Sequence, residues 1–210
     1  MRFFFLIFSC FFSISCFAKL YPGVIYLADG TVIEANIEPP KRPNDLFLSY
    51  SVEKGKLKGF KSSDVKGVYL NLNKKENVYF GYLKIENDKK QKSVWAVLSY
   101  QTNKIEVYTT ANEYYISKNN YLSLSTSKLN GNDGLTYYLK KNKVDELFRV
   151  FEYRDGIVDE NEFYKNLSQY FHDEPRLVKS FIKKEYTWNE IFKICEIYTT
   201  LSEYRDLKTV

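Results

Sequence analysis

Few side chains in this sequence are equipped for chemistry. It has one histidine, His172, and three cysteines, Cys10, Cys16 and Cys195. A Ser-His-Asp or Cys-His arrangement needs the imidazole within hydrogen-bond reach of a nucleophile, with a third group to orient it. His172 falls between two helical patterns beside Asp173, the setting of a surface linker. Cys195 lies on an apolar stripe with no base nearby in sequence, where a buried thiol is an inert small hydrophobe. Zinc is disfavoured by the same scarcity, because structural sites take four Cys or His ligands and catalytic ones usually three protein ligands. The expectation is a protein that is not an enzyme, with no catalytic, cofactor-binding or metal residues to assign and no cofactor.

Carboxylates supply two calcium-like patterns, and both fail. Asp155, Gly156, Asp159 and Glu162 fall at positions 5, 6, 9 and 12 of an EF-hand loop, but Phe151 and Tyr153 occupy positions 1 and 3 and remove two ligands. A turn followed by a capped helix explains the same residues. In Asn130-Gly131-Asn132-Asp133-Gly134 the bidentate acid is replaced by Lys140, so a hairpin turn is expected. Asp29-Gly30-Thr31 has the letters of an aspartic-protease motif in the wrong order. There is no phosphate-cradling G-x-x-x-x-G-K-[ST] loop, no G-x-G-x-x-G and no G-x-S-x-G. A carboxylate pair of the glycosidase type depends on a separation that only the fold sets, and no pair stands out.

Tyrosine does stand out, with nineteen residues. Its apolar ring and polar tip suit it to stacking on sugars or anchoring protein contacts. Aromatic residues also favour strands for packing reasons alone, and pleating would put one ring in and one out at Tyr114-Tyr115 and Tyr137-Tyr138.

The elements that must position these groups begin after a leader. Met1-Arg2 followed by the apolar run Phe3 to Phe17 reads as a secretory signal peptide over residues 1–18, with Cys16-Phe17-Ala18 as a small-x-small cleavage site. The run is shorter than the roughly 20 residues that a membrane span needs. Lipid anchoring at Cys16 is the alternative, and Ser13-Ile14-Ser15 weighs against it by placing Ser where an aliphatic residue is wanted. Export to a periplasm or cell envelope follows, with no transmembrane helix after cleavage. Cleavage would leave Cys195 as the one thiol, so no intramolecular disulfide could form and the core must supply the stability. The formal net charge of +5 falls to +4 when Arg2 leaves, and the lysines are dispersed, which argues against nucleic acid as a partner.

Residues 19–155 read as a β-rich domain. Val24 to Ala28 and Thr31 to Ile37 flank Asp29-Gly30, suited to a type I′ hairpin turn. Pro39, Pro40 and Pro43 force a loop. Strands are expected at Leu46 to Val52, ending at Lys54-Gly55, then at Val65 to Leu70, Val78 to Ile85, Val94 to Tyr100 and Ile105 to Thr109. Further strands are expected near Tyr114 to Ile116, Leu122 to Ser125, Leu135 to Leu139 and Leu147 to Phe151. Val94 to Leu98 is apolar throughout and belongs at the centre, covered on both faces.

Residues 156–210 change to a helical period. Asp159 caps a first helix carrying Phe163, Leu167, Tyr170 and Phe171 on one stripe. Asp173 is placed to cap a second, with Pro175 in its first turn and Leu177, Val178, Phe181 and Ile182 apolar. Thr187 and Glu190 form a capping box for a third, whose stripe is Ile191, Ile194, Cys195, Tyr198 and Leu201. The expected class is α+β: a mainly antiparallel β body followed by about three short C-terminal helices packed on each other or on the sheet.

Two stretches carry a resemblance. The segment from Gly23 through Asp29-Gly30-Thr31 to Ile37, with Phe60-Lys61-Ser62-Ser63-Asp64-Val65-Lys66-Gly67, resembles the opening of uncharacterised exported proteins of Bacteroidota. Tyr170-Phe171-His172-Asp173-Glu174-Pro175-Arg176-Leu177 and the helix after Thr187 are similar to their helical tail, although Ala35 stands where those proteins often have Gly and Glu174 where Cys is frequent. The resemblance implies export and a β body with a helical tail, and it supplies no activity.

The leading expectation is therefore a non-catalytic envelope protein acting as a scaffold or interaction module for another envelope protein. The second is a glycan- or peptide-binding module, which would show as several tyrosine rings lining one groove. The third is a carboxylate-dependent hydrolase, which would need two acids facing each other in a pocket.

Overall fold

The computed structural model describes residues 19–53, 56–74, 76–86, 92–126, 134–142 and 144–208. The leader with Cys10 and Cys16, the strand end at Lys54-Gly55 and the expected turn over Asn130 to Asp133 lie outside the described residues.

Thirteen strands precede three helices among the described residues. They are β1 (Tyr21–Leu27), β2 (Val32–Ile37), β3 (Phe47–Ser51), β4 (Lys58–Lys61), β5 (Val65–Asn73), β6 (Glu76–Ile85), β7 (Ser93–Gln101), β8 (Ile105–Thr110), β9 (Glu113–Ile116), β10 (Leu122–Ser125), β11 (Gly134–Lys141), β12 (Glu146–Arg154) and β13 (Ile157–Val158). The helices are α1 (Glu160–Tyr170), α2 (Pro175–Ile182) and α3 (Ile191–Lys208). The class is α+β, as the change of period near Gly156 predicts. None of these helices is long and apolar enough to cross a membrane.

Eleven strands form one sheet in the order β13-β12-β11-β8-β7-β6-β5-β1-β2-β3-β4, and β9 with β10 form a separate hairpin. The sheet also closes on itself. The start of β12 runs parallel to the end of β6, with Glu146 opposite Lys84 and Leu147 opposite Ile85. Strands β6, β7, β8, β11 and β12 therefore make a five-strand ring, and β5, β1, β2, β3 and β4 continue from it as an open wing.

Period-two alternation sends side chains into three cores. Val94, Ala96, Tyr108, Tyr138 and Leu147 fill the inside of the ring, with Leu83, Ile85 and Leu98 partly buried against them. Trp95, Val97 and Phe80 point the other way, into a core shared with Ile25, Ile37, Val68 and Leu70 of the wing. Ile105, Val107, Leu139, Val150 and Phe151 lie beneath the helices, where they meet Phe163, Leu167, Phe171, Phe181 and Ile194. Strand β7 is thus central and covered on both faces, as its unbroken apolar run predicts.

Trp95 is the largest fully buried side chain of the wing core. Its indole N–H donates to the Ser62 hydroxyl (3.0 Å) and the Asp45 carbonyl (3.2 Å), and its backbone N–H donates to the Pro43 carbonyl (2.9 Å). The proline-rich loop is held across β7 as a strap. The Asp45 carboxylate fixes the strap's turn by accepting the N–H groups of Lys41 and Arg42, and Tyr114 of β9 donates its hydroxyl to the Trp95 carbonyl (2.6 Å). A ring this size needs a partner for its polar tip when buried, and here the strap supplies it.

The helical tail is joined to the ring by a charged clasp. Asp173, at the corner before α2, accepts from Lys141 of β11 (3.0 Å) and from the Tyr198 hydroxyl of α3 (2.8 Å), and Arg205 of α3 lies 3.5 Å from it. Burial alone would raise this carboxyl, but the Lys141 and Tyr198 hydrogen bonds outweigh it and leave the group below its ordinary value.

Several local features differ from the sequence reading. The Asp29-Gly30 hairpin is a three-residue loop instead of a type I′ turn: only Gly30 has positive φ (91°), and the Asp29 carboxylate accepts the Thr31 N–H (2.8 Å), holding Asp29 at negative φ. Asp173 does not cap α2, because the clasp consumes its carboxylate; Glu174 is the cap residue, without a side-chain hydrogen bond. Ile182 is 75% exposed, beyond the edge of the apolar stripe. Tyr137 and Tyr138 do not divide into one buried and one solvated ring, because helices cover the second face: Tyr137 stacks on Phe151 at 4.6 Å while Tyr138 enters the ring. Strands β4 and β13 were not anticipated.

Replacing Trp95 with Ala should cost about 3–5 kcal/mol of unfolding free energy in urea. Tyr115→Ala, at an exposed ring beside the strap, should stay within about 0.5 kcal/mol of the parent protein. Equal effects of the two substitutions would refute the anchoring role of the indole.

Candidate functional site

The inner face of the ring continues onto the wing as one surface, and cross-strand register decides what stands on it. One row runs Val24, Tyr69, Tyr79 across β1, β5 and β6. The neighbouring row runs Tyr26, Gly67, Gly81, Ala96 across β1, β5, β6 and β7. Side chains two residues apart share a face, so the small residues Gly67, Gly81 and Ala96 lie beside Tyr69 and Tyr79.

The small row is a requirement of space. A Cβ on Gly67 would come within 2.6 Å of the Tyr79 ring and 2.7 Å of the Phe80 carbonyl, and a Cβ on Gly81 would come within 3.3 Å of the Tyr108 ring. The two glycines are paired directly, and they let the rings of Tyr79 and Tyr108 fold down over the strands. Glycine inside a strand marks such close approaches.

Where β5 separates from β6 beyond the Gly67–Gly81 pair, β12 takes its place, and the divergence leaves a cavity of about 890 Å³. Tyr69, Tyr79, Tyr82 and Tyr108 line it together with Leu98. At its base the Glu106 carboxylate is held by Lys140 (2.8 Å) and by the Tyr108 hydroxyl (2.9 Å), both on the same oxygen. The side chains of this ion pair retain only 16% and 12% of their exposure, so the pair is sheltered while still facing the cavity. Lys66, Lys84, Asp145 and Glu146 stand at the exposed rim.

Electrostatics follow from this geometry. Burial, then the Glu106 charge, then Tyr26 push the Tyr79 phenol up to about 12. Burial raises Tyr108 further, with Glu106 adding to it, and burial raises Tyr82. Tyr79, Tyr82 and Tyr108 are therefore held neutral at physiological pH and offer hydroxyl groups and ring faces, while the accepting group is the Glu106 carboxylate.

The residues first considered for chemistry lie elsewhere. His172 is exposed, with Nδ1 3.0 Å from the Gln169 carbonyl of its own helix end. Cys195 is fully buried on the inner face of α3, and burial pushes its thiol up to about 12. Asp155 and Gly156 form the tight β12–β13 turn, and Asp159 caps α1 by accepting the N–H groups of Asn161 and Glu162. Among the described residues no three His, Cys, Asp or Glu side chains converge on one point. A second cleft of about 720 Å³ lies beside the strap, between Tyr21, Tyr114 and Tyr115, and its acidic and basic groups include the Arg42–Glu113 pair (2.8 Å).

Sequence reasoning singled out tyrosine as a class but not Tyr69, Tyr79, Tyr82 and Tyr108 as a group, and it missed Glu106, Lys140, Gly67 and Gly81. The available signal was the isolated glycines within strand patterns, which imply close approach of other groups.

Because the Tyr79 phenol ionises only near pH 12 in the folded protein and near pH 10 in the unfolded chain, its contribution to stability is complete below pH 10 and is lost as pH rises toward 12. Tyr79→Phe should flatten the fall in urea midpoint over that window, and an unchanged slope would contradict the burial of this phenol. Comparisons with protein-family models, with curated proteins and with solved structures returned no match.

Proposed function

We propose that this protein is a non-catalytic binding module that holds a saccharide chain in the tyrosine-lined trough. The observation that carries the reading is the grouping of Tyr69, Tyr79, Tyr82 and Tyr108 around one cavity with the Glu106 carboxylate at its base. Aromatic faces suit the apolar faces of sugar rings, and a carboxylate with neighbouring phenol hydroxyls suits their hydroxyl groups. A concave site with a mainly apolar lining and a few convergent polar groups is the usual form of a ligand pocket.

A peptide is the weaker occupant. Extended peptides are commonly held by adding a strand to a free sheet edge. Along the trough floor Gly67 and Gly81 are each paired with strands on both sides, so their edges are already taken. Hydrolysis is disfavoured by the same geometry: Glu106 is tied to Lys140 and Tyr108, and the other described acids of the lining, Asp145 and Glu146, stand at the exposed rim. The secretory reading of residues 1–18 and the resemblance to exported Bacteroidota proteins support an envelope setting, where polysaccharides are abundant.

Glycan-array screening followed by calorimetry on the purified protein tests this. The expected outcome is saccharide binding that Tyr79→Ala weakens about tenfold or more and Tyr79→Phe leaves within a few-fold. Turnover of the bound saccharide, or capture of peptides in its place, would overturn the proposal.

A further inference from the structure

The charges around the trough carry the reading one step further, to the class of saccharide; this inference rests on the saccharide proposal. Among the described residues the lining holds three lysines, Lys66, Lys84 and Lys140, and three carboxylates, Glu106, Asp145 and Glu146. Their formal charges cancel. Only Lys140 and Glu106 are joined as a pair, and they are the sheltered ones at the base. Among the described residues the four rim groups form no ion pair, so they are exposed to whatever enters.

A polyanionic ligand would meet Glu106, Asp145 and Glu146 along with the lysines, and a polycation would meet the lysines along with the acids. Either would place like charges together, which disfavours the wrong partner more than a favourable contact elsewhere compensates. The sheltered pair adds a second barrier. A charged group reaching the base would have to compete for Lys140 or Glu106, and it would leave the displaced partner without its counter-ion in a place poor in water. A hydroxyl group does not force that exchange, because Glu106 has a second oxygen, Oε1, with Gln101 only at 3.5 Å from it, and can accept from the ligand while Oε2 keeps Lys140 and Tyr108.

We infer that the trough selects an uncharged saccharide, with the mutual neutralisation of Glu106 and Lys140 as its specificity determinant. Breaking that balance on one side should then change the preference in a direction set by the charge left behind. Glu106→Gln leaves Lys140 unmatched and should admit a polyanion; Lys140→Gln leaves Glu106 unmatched and should admit a polycation. Glu106→Gln with Lys140→Gln removes both charges together and should keep the preference for a neutral chain.

The experiment uses three hexasaccharide probes of similar length: neutral xylohexaose, anionic hexagalacturonate and cationic chitosan hexamer, each titrated at 20 mM and 500 mM NaCl. For the parent protein the neutral probe should bind at least tenfold more tightly than either charged one, with its affinity changing less than twofold between the salts. Glu106→Gln should raise hexagalacturonate affinity at least fivefold at low salt, with the gain lost at high salt. The double variant, in which no buried charge is stranded, loses the Glu106 acceptor and should bind the neutral probe more weakly than the parent, while still favouring it at least tenfold over either charged one; that ratio keeps the test decisive if a single variant does not fold, as judged by thermal melting. Salt-sensitive, Tyr79-dependent binding of a charged probe by the parent protein would overturn this inference and leave the saccharide proposal standing. Failure of all three probes and of the glycan array would overturn both.

Discussion

The constraint on which the rest of the molecule depends is that strand β7 is apolar on both faces and must be covered twice. A sheet with one solvated face cannot accommodate Val94, Trp95, Ala96 and Val97 in succession. The chain answers by bending the strands after it into a ring that encloses Val94 and Ala96, and by laying the wing and its proline strap over Trp95 and Val97. Closing the ring requires β12 to reach β6, and β6 then cannot keep β5 along its whole length. The trough is the space left by that exchange of neighbours, so its position is a by-product of core coverage.

The helices take their place in the same logic. Residues of β8, β11 and β12 that point away from the ring's inside are covered by α1, α2 and α3, and the Asp173 clasp ties the corner of that cover to β11. Because the helices occupy the outside of the ring, they leave the inner face and its opening uncovered. Stability of the tail and accessibility of the trough are thus served by opposite faces of the same strands, with Leu139 turned to the helices and its neighbours Tyr138 and Lys140 turned inward.

Much of the architecture was legible in the sequence because burial imposes a period. The long strands and the three helical stripes follow from apolar spacing, and Asp159 and Glu190 read correctly as cap residues because their partners are local. Strand β4, Lys58-Gly59-Phe60-Lys61, was hidden because it is an edge strand with little apolar content. Asp173 was misread because a local cap and a distant lysine compete for the same carboxylate, and only the fold brings Lys141 near. The site was illegible for a related reason. Tyr69, Glu106 and Lys140 are remote in sequence, and no periodicity records that a parallel pairing between β6 and β12 will gather them around one opening.

That pairing also bears on how the chain comes into being. Glu146 and Lys84 are 62 positions apart (146 − 84), so the ring is a long-range closure that depends on a segment made late. While the polypeptide emerges from its amino end, the far stretch of β6 beyond Gly81 has no neighbour on that side until β12 arrives. Until Glu146 and Leu147 are in place, the backbone of Lys84 and Ile85 lacks a partner on that side, so this short pairing is the seam that turns an open sheet into a ring.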